Sequence, residues 1–335
     1  MSRNKSEPIA KRRHLEASGR FSQRSLLFLI ATTFALAPTA AAGTQAPAYL
    51  TQWGACEPAA LAVDASSIVT VAACYQIRSF TSAGASLTGW FLGVGTGGEL
   101  GFPSGVAADD HGNLYVVDAQ NGRVLEYTTT GALIRQWGTF GTGNGQFFHP
   151  SGVAVGPSGD VYVMDLVGRR IQVFTGAGDY IHQWGTAGSS EGQFDFARGV
   201  ACDAAGNVYV ADTNNARIQK FTSDGVFLGQ WGQSGSGDGQ LNQPWGVAVD
   251  ATGDVYVADA GNDRIQVFTG AGDYLTQWGI SGTGDGQFQT PSGVAVDANG
   301  NVYVADTGNS RVQKFGFLPT PTKATSWGRL KRIFR

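Results

Sequence analysis

From Pro103 to Trp278 the apolar positions fall into short runs separated by polar turns, and the same order of runs returns four times. Each copy reads as GVAVD or a variant of it, a turn, NVYVAD, a turn, RIQVF, a turn, and a short segment ending in QWG. Apolar runs of this size, bounded by Gly, Asp and Asn, are strands; none has the period of an amphipathic helix. The tryptophans that close the copies, Trp90, Trp137, Trp184, Trp231 and Trp278, are each 47 residues apart. A fixed period of that length, filled only with strands, predicts a stacked array or a propeller rather than an ordinary globular domain.

The pattern extends both ways. Residues 291–315 repeat three of the four strands, and 58–90 is a degenerate copy reading ALAVD, SSIVTVAA and QIRSF. The units therefore lie near 58–90, 103–137, 150–184, 197–231, 244–278 and 291–315, the last lacking its fourth strand. Tyr49–Gly54 (YLTQWG) is identical to the fourth strand of the fifth unit, Tyr274–Gly279. An N-terminal strand that completes the last unit closes a ring and removes both exposed sheet edges. Thr325-Ser326-Trp327-Gly328 is the rival for that place; the full match of YLTQWG and the linker-like Pro319/Pro321 spacer favour the N-terminal strand. The expectation is an all-β fold, a six-bladed β-propeller of four-stranded blades over residues 43–315. With 49 Gly and 11% aromatic residues, the composition agrees with such a fold.

The run GQFxxPxGVAVDxxGNVYVADxxNxRIQVFxxxGxxLxxWG resembles the NHL repeat, and Gly286–Val312 follows it almost throughout. The resemblance spans residues 49–315, with unit 58–90 departing from it. It implies a propeller that acts as an interaction platform, the usual role of NHL propellers. A minority resemble lyases or sugar-lactone-type enzymes that hold a metal in the central channel, which is the alternative reading.

The first 42 residues are a separate object. Seven Lys/Arg against two acids precede the apolar run Leu26–Ala37, and Ala40-Ala41-Ala42 follows. Twelve helical residues cover ~18 Å, short of a ~30 Å hydrocarbon core. A basic start, a short apolar centre and small residues read as a secretory signal peptide, with an uncleaved anchor as the alternative. Export to the periplasm, cell surface or medium follows. Without this segment the chain keeps 16 Lys/Arg against 24 Asp/Glu. Five of those bases, Lys323, Arg329, Lys331, Arg332 and Arg335, sit in the segment 316–335, a Pro-containing linker and basic tail, so the repeat body is acidic. An acidic body argues against nucleic acid as a partner, because phosphate neutralisation needs a basic face. Membrane contact is expected only through the tail, and the propeller is read as a monomer.

Several constellations are candidates for chemistry. Asp118/Arg123, Asp165/Arg170, Asp212/Arg217, Asp259/Arg264 and Asp306/Arg311 recur at a separation of five, Asp ending a second strand and Arg beginning a third. Five carboxylates around a ring could hold a cation, but Arg forks match carboxylates bidentately and suit a structural staple across the hairpin mouth. The degenerate unit has Ala73 and Gln76 there, losing both partners together, which favours the staple. Asn144-Gly145, Glu191-Gly192, Asp238-Gly239 and Asp285-Gly286 offer too few oxygens for calcium and read as turns. His111, His149 and His182 occupy three different repeat positions, so they do not form a ring of zinc ligands. A non-enzyme without cofactor is expected.

Cys56 and Cys74 fall in connections that emerge on the same face of the same unit, so in an exported protein they are a candidate disulfide, with Cys202 a buried free thiol. One ring of positions varies. The residue before the first-strand Gly, or its equivalent, is Ala59, Ser104, Ser151, Arg198, Trp245 and Ser292. Four are small; Arg198 and Trp245, in adjacent units, are large and of the composition of binding hot spots, or else they fill packing gaps between blades. The functional expectation is an exported scaffold that binds an unknown protein, peptide or glycan.

Overall fold

The computed structural model describes residues 46–90, 100–128 and 130–317. The expected signal peptide and the basic tail lie outside the described residues. Within them, six four-stranded antiparallel sheets follow one another along the chain. Blade 2 shows the plan, with strands Pro103–Ala108, Leu114–Asp118, Arg123–Tyr127 and Leu133–Trp137 running from the axis outwards. Blade 1 spans Pro58–Val63 to Ser86–Trp90, blade 3 Pro150–Val155 to Tyr180–Trp184, blade 4 Val200–Cys202 to Phe227–Trp231, and blade 5 Pro244–Val249 to Tyr274–Trp278. Blade 6 takes Pro291–Val296, Val302–Asp306 and Arg311–Gly316 from the C-terminal side and Ala48–Gly54 from the N-terminal side. Gln52 lies opposite Gln313 and Gly54 opposite Arg311, so the N-terminal strand closes the ring as the repeat pattern predicts.

The core is distributed between blades. Six buried clusters each join two neighbouring blades, the last joining Tyr303, Ala305 and Val312 of blade 6 to Leu61, Val71 and Phe80 of blade 1. A middle strand serves two of them: Val208 and Val210 face blade 3 while Tyr209 and Ala211 face blade 5. Both faces are buried, which is why VYVAD is apolar without alternation. Trp137, Trp184, Trp231 and Trp278 seal the outer edges. Trp137 packs against Phe174 and Trp231 against Phe268, each on the next blade, and Trp53 of the closing strand packs against Phe80 of blade 1 at 5.8 Å. Four indoles, of Trp53, Trp137, Trp184 and Trp231, lie against a turn glycine of the next blade: a Cβ on Gly178 (φ +87°) would stand 2.9 Å from the Trp137 ring, and Gly84 meets Trp53 in the same way.

Blade 4 differs from expectation in one detail. Its first strand begins at Val200 rather than at 197, where Ala197 stands in place of the proline that opens the other five. Arg198 still donates its N–H to Ala211 O at 3.0 Å, and Ala211 donates to Gly199 O at 2.9 Å, so the segment stays tied to its blade.

Candidate functional site

The connections into the first strands and the hairpins between second and third strands share one face, here the front; the remaining turns form the back. On the front each clamp is built alike. Asp259, with no exposure, accepts the Asn242 N–H at 2.6 Å through Oδ1, and the Arg264 Nε at 2.8 Å and Asn262 Nδ2 at 2.8 Å through Oδ2. Arg264 reaches on to Gln277 Oε1 and to the carbonyls of Ser236, Gly237 and Gln240 in the incoming connection. Asp118/Arg123, Asp165/Arg170, Asp212/Arg217 and Asp306/Arg311 pair at 3.0, 3.1, 2.8 and 2.6 Å, each Asp again unexposed. Arg311 finds its glutamine on the closing strand, Gln52 Oε1 at 2.6 Å. Every carboxylate is filled by donors, which gives the ring a tying role. For Asp165, burial pushes the carboxyl above its ordinary value, and the bonds from Phe148 N–H, Arg170 and Gly168 N–H oppose that rise.

The geometry of these pairs corrects the expected bidentate fork, as Arg217 shows. Arg217 is buried and gives Asp212 its Nε alone, at 2.8 Å. Its Nη1 donates instead to Ser189 O and Gln230 Oε1, both at 2.7 Å, and its Nη2 to Ser190 O and Gln193 O, both at 2.9 Å. Arg170, Arg264 and Arg311 divide their donors in the same way. The physical reason is the incoming connection, whose carbonyl oxygens at Ser189, Ser190 and Gln193 take up the remaining donors. Arg217 is therefore more than half of a hairpin staple: it fastens the third strand, the fourth strand and the connection from blade 3 at one point.

Cys56 and Cys74 form a disulfide with Cα atoms 5.8 Å apart. Cys202 is free and half-buried rather than fully buried, at the back mouth, where burial and then Asp203 push its thiol up. The Asn-Gly, Glu-Gly and Asp-Gly pairs form tight turns with glycine φ near +72°, and Gly145, Gly192, Gly239 and Gly286 donate to the buried Gln172, Gln219, Gln266 and Gln313.

The varying ring lines the front mouth of the axial channel, a cavity of ≈ 300 Å³. Its members reach the axis because five of the six first strands carry an irregularity between the opening proline and the following residues, and a bulge re-aims the side chain it contains. The serines tie blades together: Ser104 Oγ donates to Pro150 O, Ser151 Oγ to Arg198 O and Ser292 Oγ to Ala59 O, at 2.9–3.0 Å. Neighbouring first strands approach so closely that a Cβ on Gly105 would stand 2.6 Å from Ser151 O. Arg198 and Trp245 stand where serine stands in three other blades but face each other instead, the guanidinium carbon 4.5 Å from the indole centroid. Arg198 Nε is buried and has no hydrogen-bond partner. Burial holds the guanidinium below its ordinary value, yet arginine stays charged at neutral pH.

Sequence reasoning missed two parts of this mouth. Glu57, in the connection into blade 1, lines the cavity together with Phe102, Thr307 and the varying ring. Glu57 occupies the residue before the first-strand proline, a position that varies as freely as the ring itself (Phe102, His149, Gln243 and Thr290), and that variation was the available signal. A rim of exposed aromatics also runs round the front: Tyr75 against Phe102, Phe140 against Phe148 and His149, and Arg169 over Phe196.

The histidines do not come together. His111 lies in a back turn, His149 on the front rim, and His182 on an outer strand, stacked on Trp184. Among the described residues no three His, Cys, Asp or Glu side chains converge. The front mouth offers a metal one carboxylate, Glu57, against the three protein ligands of a catalytic zinc, so the residues of that mouth do not fit a metal. Among the described residues, no helix is long and apolar enough to cross a membrane.

Four segments, 100–127, 194–221, 241–268 and 288–315, match the NHL repeat. Among solved structures the chain is similar to a streptogramin B lyase, at 12% identity over 81% of this chain and 96% of that one, TM-score 0.55. It is similar to virginiamycin B lyase from Staphylococcus aureus at 15% identity over 77% of this chain and 80% of that one, TM-score 0.54. A Bacteroides thetaiotaomicron protein of unknown function aligns at 16% identity over 81% and 72% of the two chains, TM-score 0.63. At such identities the likeness is one of fold. No protein of curated function matches the chain in sequence. The chain carries NHL repeats, arranged as a six-bladed β-propeller closed by its N-terminal strand.

Proposed function

We propose that this propeller is an exported binding module, without catalytic activity of its own, that seats its ligand in the front mouth on Arg198 and Trp245. The observation that carries this reading is the departure of these two residues from the repeat. Three of the other four positions hold serines that tie neighbouring blades, a task neither large side chain performs. Arg198 instead lines the mouth as a partly exposed cation that pairs with no carboxylate among the described residues, which leaves its charge to a ligand. Tryptophan adds a flat apolar surface beside it. The Cys56–Cys74 bond supports export, since such bonds persist in oxidising compartments.

The test replaces both residues with the serine of the other blades. Trp245→Ser/Arg198→Ser should melt within a few degrees of the wild type and lose most of the partner that the immobilised wild type retains from the native envelope or medium. A large fall in melting temperature with retention unchanged would make them packing residues and refute the reading.

A further inference from the structure

Two charged side chains line the front mouth, Glu57 and Arg198, and they belong to blades 1 and 4. In a ring of six, those blades stand opposite each other, so a negative and a positive group face across one cavity. Neither is neutralised from within. Among the described residues the clamp arginines, Arg135 and Arg169 all pair with carboxylates, whereas Arg198 pairs with none and Glu57 with no cation. The backbone that carries Glu57 is tied down by its neighbour: Cys56 is bonded to Cys74, and Glu57 itself has φ +33°.

Between the charges the floor is apolar. Leu61, Val106, Val153, Val200, Val247 and Val294, one from each blade, are 5–7% exposed. The hydroxyls of the wall are committed to carbonyl oxygens, so a sugar rich in hydroxyls finds few free partners. A sphere of ≈ 300 Å³ is roughly 8 Å across, the span of two to three extended residues at ~3.3–3.6 Å each. That volume is also at the small end of ligand pockets, too little for a protein surface to enter.

We infer that the ligand is a short peptide of two or three residues with both ends free, its carboxylate on Arg198, its ammonium on Glu57, and an apolar side chain on the valine floor. This rests on the reading of the mouth as a binding site. Arg198 lines the mouth and takes the carboxylate on its guanidinium, which Trp245 stacks against and holds. Glu57 is exposed and screened by solvent, so its share is the smaller.

Calorimetry on the full chain with three free-ended tripeptides, Ala-Val-Ala, Ala-Leu-Ala and Ala-Phe-Ala, tests this. At least one should bind saturably at millimolar concentration or below. Amidating its carboxyl end should weaken it about ten- to hundredfold, and acetylating its amine about three- to tenfold. These comparisons need no variant. In Arg198→Gln the amide and acid forms should bind alike while acetylation still matters, and in Glu57→Gln the reverse should hold. Blocked peptides that bind as well as free ones, or no binding by any of the three, would overturn the inference. So would a uronic-acid disaccharide that binds more tightly than every tripeptide and is indifferent to Glu57→Gln, which would assign the mouth to an acidic sugar. If no tripeptide binds but Trp245→Ser/Arg198→Ser still abolishes capture of the native partner, the peptide inference alone fails; if that capture is also unchanged, the binding reading fails with it.

Discussion

Replacing Cys56 and Cys74 together with serine should cost the propeller about 3 kcal/mol, from an 18-residue separation in the chain-entropy treatment of cross-links. The structure says why the loss is not made up locally. In blades 2 to 6 the clamp carboxylate accepts the N–H of the residue seventeen positions earlier: Gly101, Phe148, Asp195, Asn242 and Gln289. The same count back from Ala73 reaches Cys56. Blade 1 has no carboxylate there, and its second hairpin is shortened to Cys74-Tyr75, with φ of 40° and 63°. The disulfide thus fastens the connection that the other blades fasten by hydrogen bonds, and that connection runs straight out of the closing strand. At ~2–4 °C per kcal/mol for a large domain, the melting temperature should fall by about 6–12 °C. Amide exchange should quicken first in 48–54 and 311–316. The assay is a thermal melt and an exchange series on wild type and variant; a loss below about 1 kcal/mol, or quickening spread evenly over all blades, would falsify the substitution of covalent bond for carboxylate.

Other outcomes follow from the same geometry. Deleting residues 43–54 should lower the melting temperature far more than deleting 319–335, because Trp53 and Gln52 complete the seam and the clamp of blade 6. Asp259→Ala should cost roughly 1–3 kcal/mol by leaving buried donors unpaired, and with Arg264→Ala added the loss should fall short of the sum; strict additivity in denaturant melts would reject the clamp. Gly105→Ala should destabilise, its Cβ meeting Ser151 O at 2.6 Å, while Gly293→Ala, 3.4 Å from its nearest neighbours, should be close to neutral. Burial raises the Asp203 carboxyl, but bonds from Asn207, Tyr209 and Ala205 outweigh it and leave it below the ordinary 3.8. Its contribution is therefore present above pH ~3.8 and lost as the pH falls through the lower folded value, so Asp203→Asn should destabilise at pH 7 and progressively less in melts taken down to pH 2.

What repeats in this chain was legible, and what does not repeat was legible only in part. The blades, the closing strand and the clamp pairs each recur, and a period compares every copy with five others. The closing strand could be recognised because YLTQWG occurs twice. The pairing of Arg217 with Asp212 was legible from the spacing, but its four bonds to the fourth strand and the incoming connection were not, because those partners are mostly backbone carbonyls that no residue type announces. The disulfide was legible for another reason: two connections of one blade had to emerge on one face. The back-facing thiol of Cys202 was placed correctly as free but too deep, since only the fold shows that a first strand ends at a mouth. Arg198 and Trp245 stood out by size against serine; that they face each other rather than the seams depends on the blade 5 bulge and the late start of strand one in blade 4. Glu57 gave a weaker contrast, because its position has no repeat residue to depart from, with Phe102, His149, Phe196, Gln243 and Thr290 in the other blades.

A repeat fold makes its own site by such breaks. Six identical blades would present six identical residues to the axis and so a ring symmetric in charge, suited to an ion or to nothing. Here blade 1 has exchanged its carboxylate clamp for a disulfide, which removes one buried ion pair and places Glu57 beside a fixed cross-link. Blades 4 and 5 have exchanged serine ties for a stacked cation and ring. At Arg198 another contact holds the seam in place of the serine, Thr213 Oγ1 donating to Pro244 O at 2.8 Å, and where blade 6 meets blade 1 Thr307 Oγ1 reaches Pro58 O at 2.7 Å. The mouth thereby acquires a direction, negative on one wall and positive on the other. A ligand without two unlike ends would gain little from it.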